Sequence, residues 1–344
     1  MQRRYVFTLC LVLLMCMNHS THAQDEDTKP GKKSNSQYLS VSVENDNLGG
    51  GTDRFYTSGV RATWFDSDIK VPPVIDVIAD KIPTFNLDNK TATFYSVGQN
   101  IFTPEDITLA EQPDDDRPWA AFLYGSVGLA NITYNGDRPF HVDELEFTLG
   151  IVGPEALGEQ AQKFVHENIS DSPEPEGWDN QLNFEPGIII SWQRRIPYAI
   201  ERNFGTLNAR IEPNVSISLG NIRTNVGAGA TVVLSSDRGL DTPPRVTPAV
   251  PGTGIFLTED DKLNWQIFAG FDARLVARDI FLDGNTFSNS HDVDKKPLVG
   301  DLSTGFSLFY DDYRLSYTLN YRTKEFDTQG DESIFGSLTF TKRF

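Results

Sequence analysis

The chain ends in the stretch Gly336-Ser337-Leu338-Thr339-Phe340-Thr341-Lys342-Arg343-Phe344, where apolar and polar residues largely alternate. Successive side chains of a β-strand point to opposite faces. Leu338, Phe340 and the terminal Phe344 share one parity, so they project from the same face. The stretch therefore predicts a final strand with one apolar and one polar face.

The same alternation recurs from Gln37 onward, in segments of roughly ten residues that are separated by turn residues. The segments are 37–46, 57–65, 92–101, 119–134, 142–152, 183–195, 208–220, 226–235, 265–276, 299–311, 312–324 and 332–343. About twelve strands is the even number expected of a closed bacterial barrel, and the aromatic C-terminus resembles the insertion signal of such barrels. We predict an all-β fold, a transmembrane antiparallel β-barrel of about twelve strands. A soluble β-sandwich, which also alternates, is the alternative.

The N-terminus predicts export. Residues 1–23 carry two arginines, an apolar core at 6–17 and a small-residue cleavage site, as a secretory signal peptide does. Cys10 and Cys16 are the only cysteines of the chain and lie in this segment, so disulfides are not expected in the mature protein. We interpret residues 24–36 as a flexible lead-in and residues 37–344 as the barrel domain.

The charge of the chain limits its partners. The formal net charge is −18, which argues against nucleic acid and favours chemistry with divalent cations. After the signal segment, no apolar run reaches the ~18 residues that a transmembrane helix needs. Mean hydropathy is negative, which does not exclude a barrel, because the inward faces of barrels are polar.

A cluster of oxygen-bearing side chains is predicted at the first hairpin. An alternating strand ends at Asn45-Asp46, and a second alternating strand begins at Thr57. A carboxylate, a carboxamide and a hydroxyl should therefore lie beside each other at the mouth of this hairpin. Such oxygen ligands suit a hard cation such as Ca²⁺, and a cation beside an ester can polarise its carbonyl.

A short helix is predicted at about residues 155–168. Leu157, Ala161, Phe164 and Val165 form one apolar stripe at helical spacing, which we expect to rest on the barrel. Glu159, Gln162 and His166 lie on the opposite face, because steps of three, four and seven residues return to the same side of a helix. The helix would thus present a carboxylate, a carboxamide and an imidazole together.

Other catalytic classes find little support. The chain has no G-x-S-x-G nucleophile motif and no His/Cys cluster with zinc spacing. His141 and His291 lie in predicted loops and are read as solvated, which leaves His166 as the candidate base, although an exposed helix histidine is the simpler interpretation from composition. The residues favour a metal-assisted scheme in which water is the nucleophile.

Several stretches resemble the outer-membrane lipid A deacylase family, LpxR, in the same order and spacing over nearly the whole predicted mature chain. They are 43–46 (VEND), 52–59 (TDRFYTSG), 98–104 (GQNIFTP), 116–120 (DRPWA), 150–154 (GIVGP) leading through Gln162 to His166, 177–182 (GWDNQL), 220–221 (GN), 281–284 (FLDG) and 325–326 (EF).

The resemblance implies an enzyme of the outer membrane with its active site near the extracellular rim. It implies calcium-dependent hydrolysis of the 3′-acyloxyacyl ester of lipid A in lipopolysaccharide. By the same resemblance His166 would be the base that activates water, Asp46 would hold Ca²⁺, and Asn45, Thr57 and Gln162 would line the pocket. We expect a monomer surrounded by outer-membrane lipid.

The chain departs from the family at two points. Some members carry a lysine for a lipid A phosphate after the strand that matches 92–102, whereas this chain has no cation there before Arg117. The acidic residue that completes the calcium site in relatives has only Asp171 and Glu174 as nearby candidates. The rival functions are a non-catalytic or porin-like outer-membrane barrel and a phospholipase-type esterase on the same scaffold.

Overall fold

The computed structural model of the protein describes residues 37–50, 55–67, 91–136, 138–170, 172–236 and 262–344. The predicted signal peptide and lead-in lie outside these residues. The strands are β1 Gln37–Asn45, β2 Phe55–Asp66, β3 Thr91–Thr103, β4 Ala120–Asn135, β5 Arg138–Val152, β6 Glu185–Arg195, β7 Ile200–Phe204, β8 Leu207–Gly220, β9 Arg223–Ser235, β10 Asn264–Asp279, β11 Leu298–Tyr310, β12 Tyr313–Arg322 and β13 Ser333–Arg343. The α-helices are α1 Gly158–Asn168 and α2 Ile280–Asp283, and 3-10 helices span Asp46–Leu48, Pro154–Ala156 and Trp178–Asn180.

The described strands close into one antiparallel ring. β1 pairs with β13, with Tyr38 opposite Arg343 and Asn45 opposite Gly336. β6 pairs with β8 through the second half of β8, and the short β7 occupies the same side of β8 along its first half. β6 and β7 therefore share one place in the ring. The thirteen described strands thus form a ring of twelve. The prediction of a closed barrel of about twelve strands is confirmed.

The wall of the barrel is apolar outside and polar inside. Val97 on β3 and Leu149 on β5 are each 62% exposed on the outer face, whereas inward residues such as Ser40 and Thr341 are buried and bonded to each other. In water each exposed large apolar side chain would forgo about 1.5–3 kcal/mol of burial energy. In hydrocarbon it forgoes nothing, so the distribution is that of a barrel surrounded by lipid.

Charged side chains fill the described interior of the barrel. Buried arginines pair there with buried carboxylates: Arg61 with Glu146, Arg117 with Glu325, Arg210 with Glu212, Arg223 with Asp279, and Arg274 and Arg322 with Asp301. A buried charge is tolerated when it is paired and hydrogen-bonded. These buried ion pairs occupy much of the described interior.

α1 packs on the outer wall in a different orientation from the predicted one. Of the predicted apolar stripe only Ala161 packs against the wall, whereas Leu157 is 51% and Phe164 61% exposed; Gly158 and Gln162 are buried instead. The reason is close backbone approach: a Cβ on Gly158 would lie 2.4 Å from the Cβ of Ala121 on β4. The glycine side of the helix reaches the wall, and the larger apolar side chains remain outside.

The described residues contain no helix that is both long and apolar enough to cross a bilayer. The wall instead sets the positions of the candidate residues. β1, β3 and β5 end, and β2 and β6 begin, at one end of the barrel, since neighbouring strands run antiparallel. The first and last strands meet at the opposite end, where the Phe344 N–H donates to the carbonyl of Gln37 over 3.0 Å.

Candidate active site

The hairpin between β1 and β2 brings together Asn45, Asp46 and Thr57. The Nδ2 of Asn45 donates to the backbone carbonyl of Thr57 over 2.9 Å. Its Oδ1 accepts from the backbone N–H of Asn47 over 2.9 Å and so caps the short 3-10 helix that follows. Because both ends of the carboxamide are used, Asn45 holds the start of β2 against the end of β1.

The carboxylate of Asp46 is 2% exposed. Its Oδ1 accepts from the N–H of Asn47 over 2.8 Å, and its backbone carbonyl accepts from the N–H groups of Gly49 and Gly50 over 3.0 and 2.7 Å. These bonds hold the side chain in one place before any ligand arrives. The chain therefore presents a preoriented oxygen donor at the end of β1.

Thr57 occupies a β-bulge. Tyr56 pairs with Phe102 and Ser58 with Ile101, so Thr57 is the additional residue on its strand. Bulges commonly redirect a side chain next to an active site. The Thr57 hydroxyl lies 2.7 Å from that of Thr103 at the end of β3, and both residues are buried. Thr103 thus holds the Thr57 hydroxyl from the neighbouring strand.

Backbone strain precedes this bulge. Phe55 has φ +67°, a left-handed conformation that costs a residue other than glycine of order 1–3 kcal/mol. The ring of Phe55 is buried with Leu282 and Phe326, the latter at 6.1 Å between ring centroids. This packing holds the strained turn that begins β2, immediately before Thr57.

The amide of Gln162 on α1 has a defined orientation. Gln162 is 3% exposed, and its Oε1 accepts from the indole Nε1–H of Trp178 over 2.9 Å. Indole nitrogen only donates, so the oxygen end of the amide must face Trp178. The Nε2 of Gln162 has no partner among the described protein atoms. A buried amide donor is thus free to bind a ligand oxygen.

His166 is half-buried on the same helix, and its Nδ1 lies 2.6 Å from the carbonyl oxygen of Pro173. A carbonyl oxygen only accepts, so Nδ1 carries the proton in the neutral ring and Nε2 carries the lone pair. An imidazole whose tautomer is fixed in this way is suited to act as a general base through Nε2. Glu159, which shared the predicted face with His166, instead pairs with Lys163 at 2.8 Å.

Both groups of candidate residues are anchored to one face of β3. Residues two apart on a strand share a face, and Gln99, Ile101 and Thr103 are such a set. Gln99 donates to the carbonyl of Ala156 over 2.6 Å at the start of the helical segment, and Ile101 packs in one cluster with Ala156 and Trp178. Thr103 contacts Thr57. The hairpin and α1 therefore lie on the same, outer side of the wall.

The donor set of the hairpin fits a hard cation better than a soft one. Asp46 and Asn45 offer oxygen atoms, and oxygen ligands select Ca²⁺ or Mg²⁺ over Zn²⁺. Within the described ranges, no group of three or more His, Cys, Asp or Glu side chains is placed to hold a metal. Glu174 is exposed, and Asp171 lies outside the described residues. A cation here would depend mainly on Asp46, together with amide, carbonyl and water oxygens.

The loop between β3 and β4 supplies no cation to the rim. Arg117 is fully buried: it forms an ion pair with Glu325 at 3.5 Å, donates to the carbonyl of Phe281 over 3.3 Å and stacks on Phe102. The loop is held in place by His291, whose Nε2 donates to the Asp116 carbonyl over 2.6 Å. His291 thus has a structural contact and is not simply solvated. The guanidinium of Arg117 is bound within the barrel interior.

Sequence reasoning assigned no role to Trp178, Thr103 or Gly158, which position the candidate groups. Trp178 and Thr103 fall within the stretches 177–182 and 98–104, which carry the family resemblance. This resemblance was the only sequence signal for these two residues. Their contacts join residues far apart in the chain, such as Thr57 with Thr103 and Gln162 with Trp178. No local pattern indicates such pairs.

The family described as "Outer membrane protein LpxR" matches residues 7–344. No curated protein matches the chain.

Among solved structures, LpxR from Salmonella typhimurium superposes with a TM-score of 0.73 at 23% identity, over 89% of this chain and 100% of that one. The β domain of the Bordetella autotransporter BrkA has a TM-score of 0.43 at 9% identity, over 91% and 100% of the two chains. The similarity to the Salmonella protein shows a shared fold.

Proposed function

Because the chain belongs to the LpxR family of outer membrane proteins, we propose that it is a lipid A deacylase that removes the 3′-acyloxyacyl group from lipopolysaccharide. The observation that carries this proposal is the partly buried His166, with Nδ1 bonded to Pro173, on a helix that shares one face of β3 with Thr57. The start of β1 at Gln37 and the end of β13 lie at the other end of the barrel, so we assign the site to the extracellular rim. The barrel closes through its own strands, which is compatible with a monomer.

In the proposed reaction His166 is the general base. Its Nε2 removes a proton from water as the water oxygen attacks the carbonyl carbon of the ester. The tetrahedral intermediate then breaks the bond to the sugar oxygen, which receives the proton from the His166 imidazolium. The products are the acyloxyacyl acid and a free 3′-hydroxyl, and the imidazole returns to its neutral form.

The negative charge that develops on the carbonyl oxygen needs donors. Gln162 is the stronger candidate, because its Nε2 is buried and without a described partner, whereas the Nδ2 of Asn45 already donates to Thr57. Thr57 can add its hydroxyl proton when Thr103 accepts no bond from it. A preorganised donor of this kind contributes roughly 10²–10³ in rate in well-studied hydrolases.

The chemistry of the oxygen donors supports calcium as the cofactor. Asp46 would hold it, assisted by neighbouring amide and carbonyl oxygens. A bound Ca²⁺ would polarise the ester carbonyl as a Lewis acid. It would also reduce the repulsion between the phosphorylated lipid and a chain of net charge −18.

The test is mass spectrometry of lipid A from cells that carry the protein in a folded barrel. Wild type should remove one acyloxyacyl group, and His166→Ala should lose activity by roughly 10²–10⁴. Glu167→Ala, an exposed position on the same helix, is the matched control and should retain activity. Intact lipid A in the presence of folded wild-type protein with added calcium would contradict the proposal.

The same preparations separate the rival functions. Hydrolysis of phospholipid in preference to lipid A would instead indicate a phospholipase-type esterase. Large solute flux in liposomes would indicate a porin-like barrel, which the paired charges of the described interior disfavour.

A further inference from the structure

The outward side of α1 is an apolar surface without a described protein partner. Phe164 is 61% exposed and Val165 37%, and Leu157, directly before the helix, is 51% exposed. Two polar residues border this side: the exposed Gln160, and Asn168, which donates its Nδ2 to the carbonyl of Phe164 over 2.8 Å and is thus partly satisfied within the helix. The surface thus presents three apolar side chains bordered by uncharged amides.

The charged side chains of α1 project from another side of the helix. Glu159 and Lys163 form an ion pair at 2.8 Å one turn apart, and Glu167 is exposed one turn further along. The buried Gly158 and Gln162 separate this polar side from the apolar one and bind the helix to the wall. A helix held with one apolar and one charged flank has the amphipathicity of a helix at a membrane–water interface.

The apolar side continues the lipid-facing band of the barrel. Gln99, whose side chain bonds the Ala156 carbonyl just before α1, lies on the same face of β3 as the exposed Val97, two residues earlier in the chain. Ile151 packs against the cluster that contains Ala156, and two residues away on the same face of β5 lies the exposed Leu149. The helical segment therefore begins where the hydrocarbon-facing surface of the wall ends.

We propose that α1 is an interfacial helix whose Leu157, Phe164 and Val165 lie in the hydrocarbon of the surrounding outer leaflet. The occupant of the apolar side is thus the acyl chains of the bulk membrane lipid. The charged flank faces the aqueous headgroup region. The proposal rests on the outer-membrane location of the family and not on hydrolysis, although it would place His166 near the depth of lipid ester bonds.

The experiment uses the lack of cysteine after residue 16. Phe164→Cys and Val165→Cys would each be labelled with an environment-sensitive NBD fluorophore in the mature, folded barrel. Lys163→Cys on the charged flank is the matched control, and Leu149→Cys on the wall is the hydrocarbon reference. The proteins are placed in phosphatidylcholine vesicles without lipid A, with doxyl quenchers on the acyl chains or iodide in the water.

We expect labels at 164 and 165 to show blue-shifted emission and acyl-chain quenching close to those at 149. The label at 163 should be quenched by iodide. Quenching by iodide at 164 and 165 to the same extent as at 163 would overturn the proposal. Shielding that appears only when lipid A is added would also overturn it, because the substrate and not the leaflet would then cover the helix.

The two proposals fail separately. A protein that shows the expected quenching but leaves lipid A intact contradicts the deacylase and leaves the interfacial helix standing. Folding of every labelled variant is checked by heat-modifiable migration in gels, and the two neighbouring label positions provide independent readings if one of them disturbs the helix.

Discussion

The indole N–H of Trp178 donates to the Oε1 of Gln162 over 2.9 Å and thereby decides which end of the buried amide faces away. Trp178 is itself 2% exposed and packs against Trp119 at 5.1 Å between ring centroids. Since the indole cannot accept a hydrogen bond, a flipped amide would oppose two donors. The Nε2 of Gln162 is therefore presented as a donor. Trp178 has this effect through its one bond to the Gln162 amide.

Trp178→Phe tests this positioning role. The ring packing is largely kept, but the amide loses the bond that orients it, which is worth about 1 kcal/mol. We expect kcat to fall roughly fivefold with little change in KM. In a Gln162→Ala background the same substitution should have no further effect on kcat. An equal loss in both backgrounds would show that Trp178 acts through general packing instead.

Gly158→Ala should separate α1 from the wall. The added Cβ would lie 2.4 Å from the Cβ of Ala121 and 2.6 Å from the Cη2 of Trp178, so the helix must move. We expect loss of deacylation with an intact barrel, because strand pairing does not involve α1. Gly125→Ala is the matched control, since its nearest neighbour would be 3.8 Å away. Retained activity in Gly158→Ala would contradict close packing of the helix.

Asp46→Asn and removal of calcium should both impair lipid A hydrolysis. Loss of the buried carboxylate of Asp46 removes the charged ligand that we assign to calcium. We expect chelation to abolish lipid A hydrolysis in wild type and added Ca²⁺ to restore it, whereas Asp46→Asn should need far higher calcium. Activity in chelator equal to that in calcium would exclude the metal-assisted scheme.

Glu325 should make barrel stability depend on acid pH. Burial alone would raise the pKa of Glu325, but the Arg322 and Arg117 guanidiniums outweigh it and hold the pKa below the ordinary 4.5. Its stabilisation is therefore present above pH 4.5 and is lost as the pH falls through the lowered pKa. Glu325→Gln should destabilise the barrel by about 3 kcal/mol at neutral pH, since the buried Arg117 loses its carboxylate and Arg322 keeps only Asp301.

The measurement for Glu325 is unfolding in detergent at several pH values. The difference between wild type and Glu325→Gln should narrow in strong acid, where the wild-type carboxylate is also neutral. A difference that stays constant with pH would mean that the charge of Glu325 does not stabilise the fold. Gln329, which accepts from the Glu325 N–H over 2.6 Å, can be replaced as a control for loop packing.

The strands were predictable because each carries its own pattern. In β13, for example, Leu338 and Phe340 face outward and Thr339 and Thr341 inward, as the alternation requires. The hairpin placed Asn45 beside Thr57 for the same reason, since two strands joined by a short loop are necessarily neighbours. The existence of the helix near 155–168 was also correctly predicted, but not the side on which it packs.

Local sequence thus determined the twelve long strands, their inside and outside faces, and the pairing of Asn45 with Thr57, because periodicity and short loops act over a few residues. Packing between segments distant in the chain decided the rest. It set Thr103 against Thr57, placed Ala156 on the outer face of β3, and let Gly158 rather than Phe164 meet the wall. Such contacts depend on how closely two surfaces distant in the chain can approach, and a helical pattern alone does not distinguish an apolar side that meets protein from one that meets lipid.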